Sequence, residues 1–268
     1  MTNDSLILSR SNLLVFSTCH RRFQLRVLDR LPWPDLDLDL KQQTAVYQGQ
    51  LFHQILERHF LGLPVVPSDI PNKQLRAWWE SFERQGPPLP PGRRLPEIRL
   101  TVPVGSHYLV GRFDLLIIES DETSSRAHIF DWKTSKPRSL TDLQSDWQTR
   151  LYLAMIAESG DALVRDGPPL AADQITFTYW YADDPGSPRR IRYSAAEHEQ
   201  NWRQILALVD EIDLCQEAGE WPLTEDWTRC RTCPYQAYCG RWEAGQYEVT
   251  IHEERPVYDF SLLEPETP

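Results

Sequence analysis

Apolar positions along the chain change period several times, and each change marks a predicted element. Over residues 9–30, Leu13, Phe16, Cys19, Phe23 and Val27 recur at steps of three and four, which predicts one helix capped by Ser9 or Ser11. A second helix is predicted over 47–60, with Leu51, Phe52, Ile55, Leu56 and Phe60 as its apolar face. On that wheel His59 falls near the middle of the face, as a core histidine, and His53 at its edge. Trp78, Trp79 and Phe82 support a third helix over 75–84, followed by a Pro-rich loop over 85–96. Strands are predicted over 97–104, 110–118 and 128–133, the last two joined by the polar turn Asp121-Glu122-Thr123-Ser124-Ser125. A helix over 143–158 follows, its apolar face carried by Trp147, Leu151, Ala154 and Met155. A second hairpin pairs 175–181 with 189–193 around Asp183-Asp184-Pro185-Gly186. Ser194 and Glu197 then form a capping box for a long helix on which Trp202, Ile205, Leu206, Val209 and Ile212 repeat.

Composition narrows the class. The 268 residues can fill one core, and no Gly/Ser linker or repeat divides them. One domain over 1–252 is expected, followed by an acidic, loosely docked tail over 253–268; residues 31–40 are expected to be an exposed acidic loop. No apolar run approaches the ~18 residues of a membrane span. The opening Met-Thr-Asn-Asp-Ser lacks the basic-then-apolar order of a secretory signal, so a cytoplasmic location and no membrane partner are expected. A net charge of −11 argues against a uniformly basic nucleic-acid coat, although basic residues cluster at 21–22, 93–94, 133–138 and 189–192.

The candidate chemistry sits in the most apolar strands. Asp114 and Asp131 each interrupt one, and alternation places Asp131 and Lys133 on one face with Phe130 and Trp132 on the other. Burying an unpaired carboxylate costs several kcal/mol, so two of them call for a compensating charge. A divalent cation with oxygen ligands, Mg²⁺ or Mn²⁺, is one answer; an ordinary solvated Asp–Lys pair at a strand end is the other. Gln148 and Tyr152 lie one turn apart within or beside the apolar face of their helix, and a glutamine there faces a wet cleft or pairs with backbone groups. Cys230, Cys233 and Cys239 place three thiols in one short segment, the pattern of a metal site outside oxidising compartments. Cys19 and Cys215 read by themselves as packing residues, and the spacing alone does not choose between zinc and iron–sulfur.

Together, Gly49-x3-His53, Gly111-Arg112-Phe113-Asp114, Asp131-Trp132-Lys133 and Gln148-x3-Tyr152, in this order, resemble the RecB-like branch of the PD-(D/E)xK nucleases. The frame of Cys19 and the three late cysteines is similar to the iron–sulfur members of that branch, the AddB-type nuclease domain and the CRISPR-associated iron–sulfur exonucleases. Two departures stand out: the third-motif acid is Asp131 where glutamate is commoner, and Phe113 stands where proline is usual. The resemblance implies an α/β fold of restriction-endonuclease type, a mixed central sheet flanked by helices, with its helical ends stapled by a metal cluster. It implies Mg²⁺ or Mn²⁺ held by His53, Asp114, Asp131 and the Trp132 carbonyl, and catalysis by Asp114, Asp131, Lys133, Gln148 and Tyr152. It implies a [4Fe-4S] cluster on Cys19, Cys230, Cys233 and Cys239, with Zn²⁺ as the alternative occupant. The function implied is a metal-dependent exonuclease on single-stranded or frayed DNA ends, in repair, recombination or CRISPR adaptation, with a helicase or integrase as a possible protein partner. The alternative is a nuclease-like DNA-binding or scaffolding subunit without cleavage activity.

Overall fold

The computed structural model describes residues 5–31, 40–231 and 233–244. The expected loop over 31–40 and the expected acidic tail lie almost wholly outside these residues. β1 (Ile7–Ser9) leads into α1 (Arg10–Thr18), where the Ser9 hydroxyl accepts a hydrogen bond from the Asn12 amide at 3.3 Å. The single helix expected over 9–30 is broken. Cys19 is extended (φ −167°, ψ 119°), a short α2 (His20–Phe23) follows, and Gln24–Leu28 form a π-helical turn. Neither Gly nor Pro marks the break, so side-chain periodicity could not reveal it.

α3 (Leu40–Phe60) starts about two turns before the expected helix over 47–60. Asn72 caps α4 (Lys73–Gln85), accepting from the Gln74 and Leu75 amides at 2.9 and 3.1 Å. β2 (Arg93–Val104) begins inside the expected Pro-rich loop and runs through Pro96. Proline is tolerated there because β2 pairs only with β3 (His107–Ser120) and is an edge strand. β4 (Ser125–Lys133) completes the central hairpin. The helix expected over 143–158 is two, α5 (Leu140–Ser145) and α6 (Trp147–Ser159), divided at Asp146. β5 (Ile175–Tyr181) and β6 (Asp184–Arg192) form the second hairpin, whose turn is tighter than expected because Asp184, Pro185 and Gly186 already belong to edge strand β6. α7 (Ala195–Ala218) is capped by Ser194 as expected and ends on Gly219 at φ +67°. α8 (Gln236–Cys239) carries the last cysteine.

The six strands make one mixed sheet in the order β1-β3-β4-β5-β6, with β2 on the other edge of β3. β1/β3 and β4/β5 are parallel and the remaining pairs antiparallel. On one face Leu109, Phe113, Leu116, Ile129 and Phe177 pack against α1, α6 and α7. On the other, Leu115, Ile117, Phe130, Trp132 and Trp180 meet Phe52, Leu56 and Phe60 of α3 and Trp78, Trp79 and Phe82 of α4. His59 is not a core histidine. It is exposed, its ring lying against Trp79 (centroids 5.2 Å) and Phe82 (6.0 Å) at the rim, because α3 turns Phe52, Leu56 and Phe60 inward.

Candidate active site

The β3–β4 ladder ends at the pair Leu115–Phe130, and the next residues along the two strands are Asp114 and Asp131. Beyond that pair Asp114 is held by the backbone: the Trp132 amide donates to its Oδ2 at 2.9 Å. From the opposite side of the sheet, α3 delivers His53, whose Nδ1 lies 3.4 Å from Asp114 Oδ2. β2 adds Glu97, and one ligand atom from each of His53, Glu97 and Asp114 lies within 4.8 Å of the others. Glu97 also contacts Arg112 Nε at 3.2 Å.

Asp131 stands outside that group and is the most buried of the acids, at 4 % exposure. Its Oδ1 lies 2.7 Å from Lys133 Nζ and its Oδ2 accepts from Gln148 Nε2 at 2.5 Å. Gln148 closes the triangle by accepting from Lys133 Nζ at 3.2 Å through Oε1. A helix-face glutamine thus spends both ends of its amide on the strand's acid and amine. Trp132, between them, buries its indole in the aromatic layer, stacked on Phe60 and Phe130, while the strand sets its backbone between Asp131 and Lys133.

The charges are strongly coupled. Burial pushes the Asp131 carboxyl up to about 6, with Asp114 adding to the shift and Lys133 opposing it. Burial and the Asp114 carboxylate push Glu97 up to about 7 against the pull of Arg112. Burial works against charge on Asp114 too, but His53, Lys133 and the Trp132 amide outweigh it and hold Asp114 below the usual carboxylate range. Burial likewise opposes a charge on His53, and Asp114 and Asp131 outweigh it, raising the imidazole.

α6 is placed by its own cap. The Asp146 carboxylate accepts from the Gln148 amide at 2.7 Å, and meets Arg138 Nη1 at 2.7 Å and Arg10 Nη2 at 3.5 Å. One turn on, the Tyr152 ring packs on Phe113 with centroids 4.4 Å apart. Burial, with Asp131 and Asp114 nearby, drives its phenol well above the ordinary value, so it stays protonated. Gly111 makes this contact possible: a Cβ there would lie 3.1 Å from both Met155 Sδ and Tyr152 Cε1. Gly49 is buried on α3 one turn before His53.

The structure therefore gathers His53, Asp114, Asp131, Lys133, Gln148 and Tyr152 into one cluster, and adds residues that the sequence motifs do not include. Glu97 carried no sequence signal beyond being an acid at a strand start after proline. Arg10 lies far from Asp146 and Arg138 in the chain. The donor set fits a hard divalent cation: carboxylates and an imidazole converge, and the buried Asp131 carboxylate meets Lys133 Nζ at 2.7 Å beside them.

Cys19, Cys230, Cys233 and Cys239 line one cavity together with Arg22 and Tyr235. Arg229 ties the two chain segments across it, donating from Nη1 to the Ser17 and Thr18 carbonyls at 3.3 and 3.1 Å. Among the described residues, no three thiols come within 4.8 Å of one another. Burial raises the Cys230, Cys233 and Cys239 thiols. Cys215 is elsewhere, buried on α7 with its Sγ 3.8 Å from His20 Nδ1.

A mixed sheet that parts at two carboxylates beside a lysine, with helices closing on both faces, is the core of a hydrolytic nuclease. The chain belongs to the PD-(D/E)XK nuclease superfamily, whose family model matches residues 7–94 and 72–240. Among solved structures it is similar to a "Putative exonuclease" from Eubacterium rectale, at 14 % identity over 84 % of this chain and 87 % of that one, with a TM-score of 0.48. No curated protein sequence matches significantly. Nucleases of this superfamily use divalent metals such as Mg²⁺. Among the described residues no helix is long and apolar enough to cross a membrane.

Proposed function

We propose that the protein is a metal-dependent DNA exonuclease of the RecB-like branch, acting on single-stranded or frayed ends in repair, recombination or CRISPR adaptation. The observation that carries this reading is the meeting of Asp114, Asp131 and Lys133 where β3 and β4 part, with His53 and Gln148 brought from opposite layers. His53, Asp114, Asp131 and the Trp132 carbonyl would hold Mg²⁺ or Mn²⁺. Such a cation, when bound, would supply Lewis-acid polarisation of a phosphoryl oxygen and lower the pKa of a water.

The chain's own groups do the rest. The Lys133 ammonium is positioned by Asp131 and Gln148 to orient the attacking water and to offset charge developing on the phosphate. Gln148 fixes both partners. Tyr152 holds α6 against β3 through Phe113 and acts as a positioning residue. Lys133→Ala is expected to abolish release of label from end-labelled DNA in Mg²⁺ or Mn²⁺ while the far-ultraviolet circular dichroism stays that of the wild type. Cleavage retained by the variant would overturn the active-site assignment.

The cysteine cavity supports a structural [4Fe-4S] cluster over zinc. Cys19, Cys230, Cys233 and Cys239 around one cavity match the frame of the iron–sulfur nucleases that the motifs resemble, with zinc as the alternative occupant. On this reading one domain over 1–252 is closed by the cluster, which staples the α1–α2 junction to the C-terminal segment. A brown protein absorbing at roughly 400 nm after anaerobic purification is expected, and a colourless zinc protein would refute it. The net charge of −11 favours one second reading, a DNA-binding subunit docked on a protein partner such as a helicase or integrase; DNA binding without cleavage in any metal would select it.

A further inference from the structure

Resting on the reading that this site holds a divalent cation, we propose that Glu97 is a further protein ligand of it, forming with His53 and Asp114 a three-residue binding face. None of the sequence motifs contains this residue. The three side chains are half-buried, and one ligand atom of each lies within 4.8 Å of the others. A cation with bonds of about 2.1 Å needs donors about 3 to 4.2 Å apart, so the group is already near coordinating distance.

Three features distinguish Glu97 from a passing surface acid. It lies between the register pairs Pro96–Leu115 and Ile98–Phe113, directly across from Asp114. Like charges in that position repel, so a cation between them would be stabilising. Its backbone has φ +49°, while its neighbours on both sides stay in the ladder, so the chain turns at this residue alone. Its cationic neighbour Arg112 has a side chain 57 % exposed, whereas the Glu97 side chain is 15 % exposed. An ion pair with so solvated a partner is weak compensation for two half-buried carboxylates. Asp131 does not share that need, since Lys133 at 2.7 Å from Oδ1 and Gln148 at 2.5 Å from Oδ2 already engage both its oxygens. The acids therefore divide. Asp131 meets the cation from the lysine's side, and Glu97 with Asp114 and His53 offers the opposite ligand face.

The test is Mn²⁺ binding to the purified full chain by calorimetry, with Glu97→Gln, Arg112→Gln and Asp114→Asn compared. Glu97→Gln is expected to weaken Mn²⁺ binding tenfold or more without changing the far-ultraviolet circular dichroism, and Arg112→Gln to bind at least as tightly as the wild type. Glu97→Gln binding like the wild type while Asp114→Asn loses the ion overturns the ligand assignment and leaves the cation site standing. Equal weakening in the Glu97 and Arg112 variants also overturns it, because the pair would then act only as a brace. Absence of Mn²⁺ binding by the wild type overturns both readings. Should Glu97→Gln fail to fold, protein with Glu97 intact and ¹³C-carboxyl glutamate decides by pulsed paramagnetic resonance. In a Glu57→Gln background, which removes the neighbouring glutamate of α3, the other carboxylate of the group is an aspartate, so a ¹³C coupling to bound Mn²⁺ supports the proposal and its absence refutes it.

Discussion

At the scale of single residues the site is a problem in placing charge. Asp131 and Glu97 titrate at about 6 and about 7 in the fold, above the ordinary carboxylate range, because burial and Asp114 disfavour their ionised forms. Groups raised in this way bind protons more tightly folded than unfolded. Their contribution to stability is full at acid pH and is lost as pH rises through those values. His53, also raised, acts in the same direction, while the lowered Asp114 works against it only at the acid end. The melting temperature of metal-free protein is therefore expected to fall as pH climbs from about 4 to about 7, and excess Mg²⁺ to flatten that fall; scanning calorimetry in EDTA and in Mg²⁺ checks it. The Tyr152 phenol, held protonated, cannot serve as a base. Tyr152→Phe is expected to leave the alkaline limb of the rate–pH profile where it is.

At the scale of elements, function depends on how α6 is set against the sheet. Its first turn is capped by Asp146, which also joins Arg10 of α1 to Arg138. Asp146→Ala removes a cap worth ~1 kcal/mol and loosens Gln148, whose amide it holds. A lower melting temperature together with a reduced cleavage rate is expected, and melting and rate measured side by side test the link. Gly111→Ala acts from the other side. The added methyl would press on Met155 and Tyr152 at 3.1 Å, forcing α6 outward at a cost of ~1 to 3 kcal/mol. Activity should fall more than stability, since Gln148 must then reach further to Asp131. The glycine of Gly-Arg-Phe-Asp was visible in the sequence, but its reason was not, because the helix it admits lies forty residues away.

At the scale of the whole molecule, the two ends of the described chain meet at the cysteine cavity. If the cavity holds the proposed iron–sulfur cluster, Cys19→Ser is expected to remove its absorption at roughly 400 nm, lower the melting temperature, and expose the α1–α2 junction to limited proteolysis, while Asp131, Lys133 and Gln148 keep their geometry. Proteolysis at the cysteine segment alone, with the junction untouched, would show that the two ends are not stapled.

Local pattern settled whatever local forces settle. The two-residue period put Asp131 and Lys133 on one face and Phe130 and Trp132 on the other; hydroxyl caps at Ser9 and Ser194 opened their helices where they should. These outcomes follow from steric alternation and from amides needing acceptors within a few residues. Packing decided the rest. It broke the first helix at Cys19, split another at Asp146, drove β2 through Pro96, turned His59 outward, and brought Glu97 to His53 and Asp114. Each of those outcomes depends on groups distant in the chain becoming neighbours only once the sheet closes and its two helical layers dock, and no window of sequence carries that information.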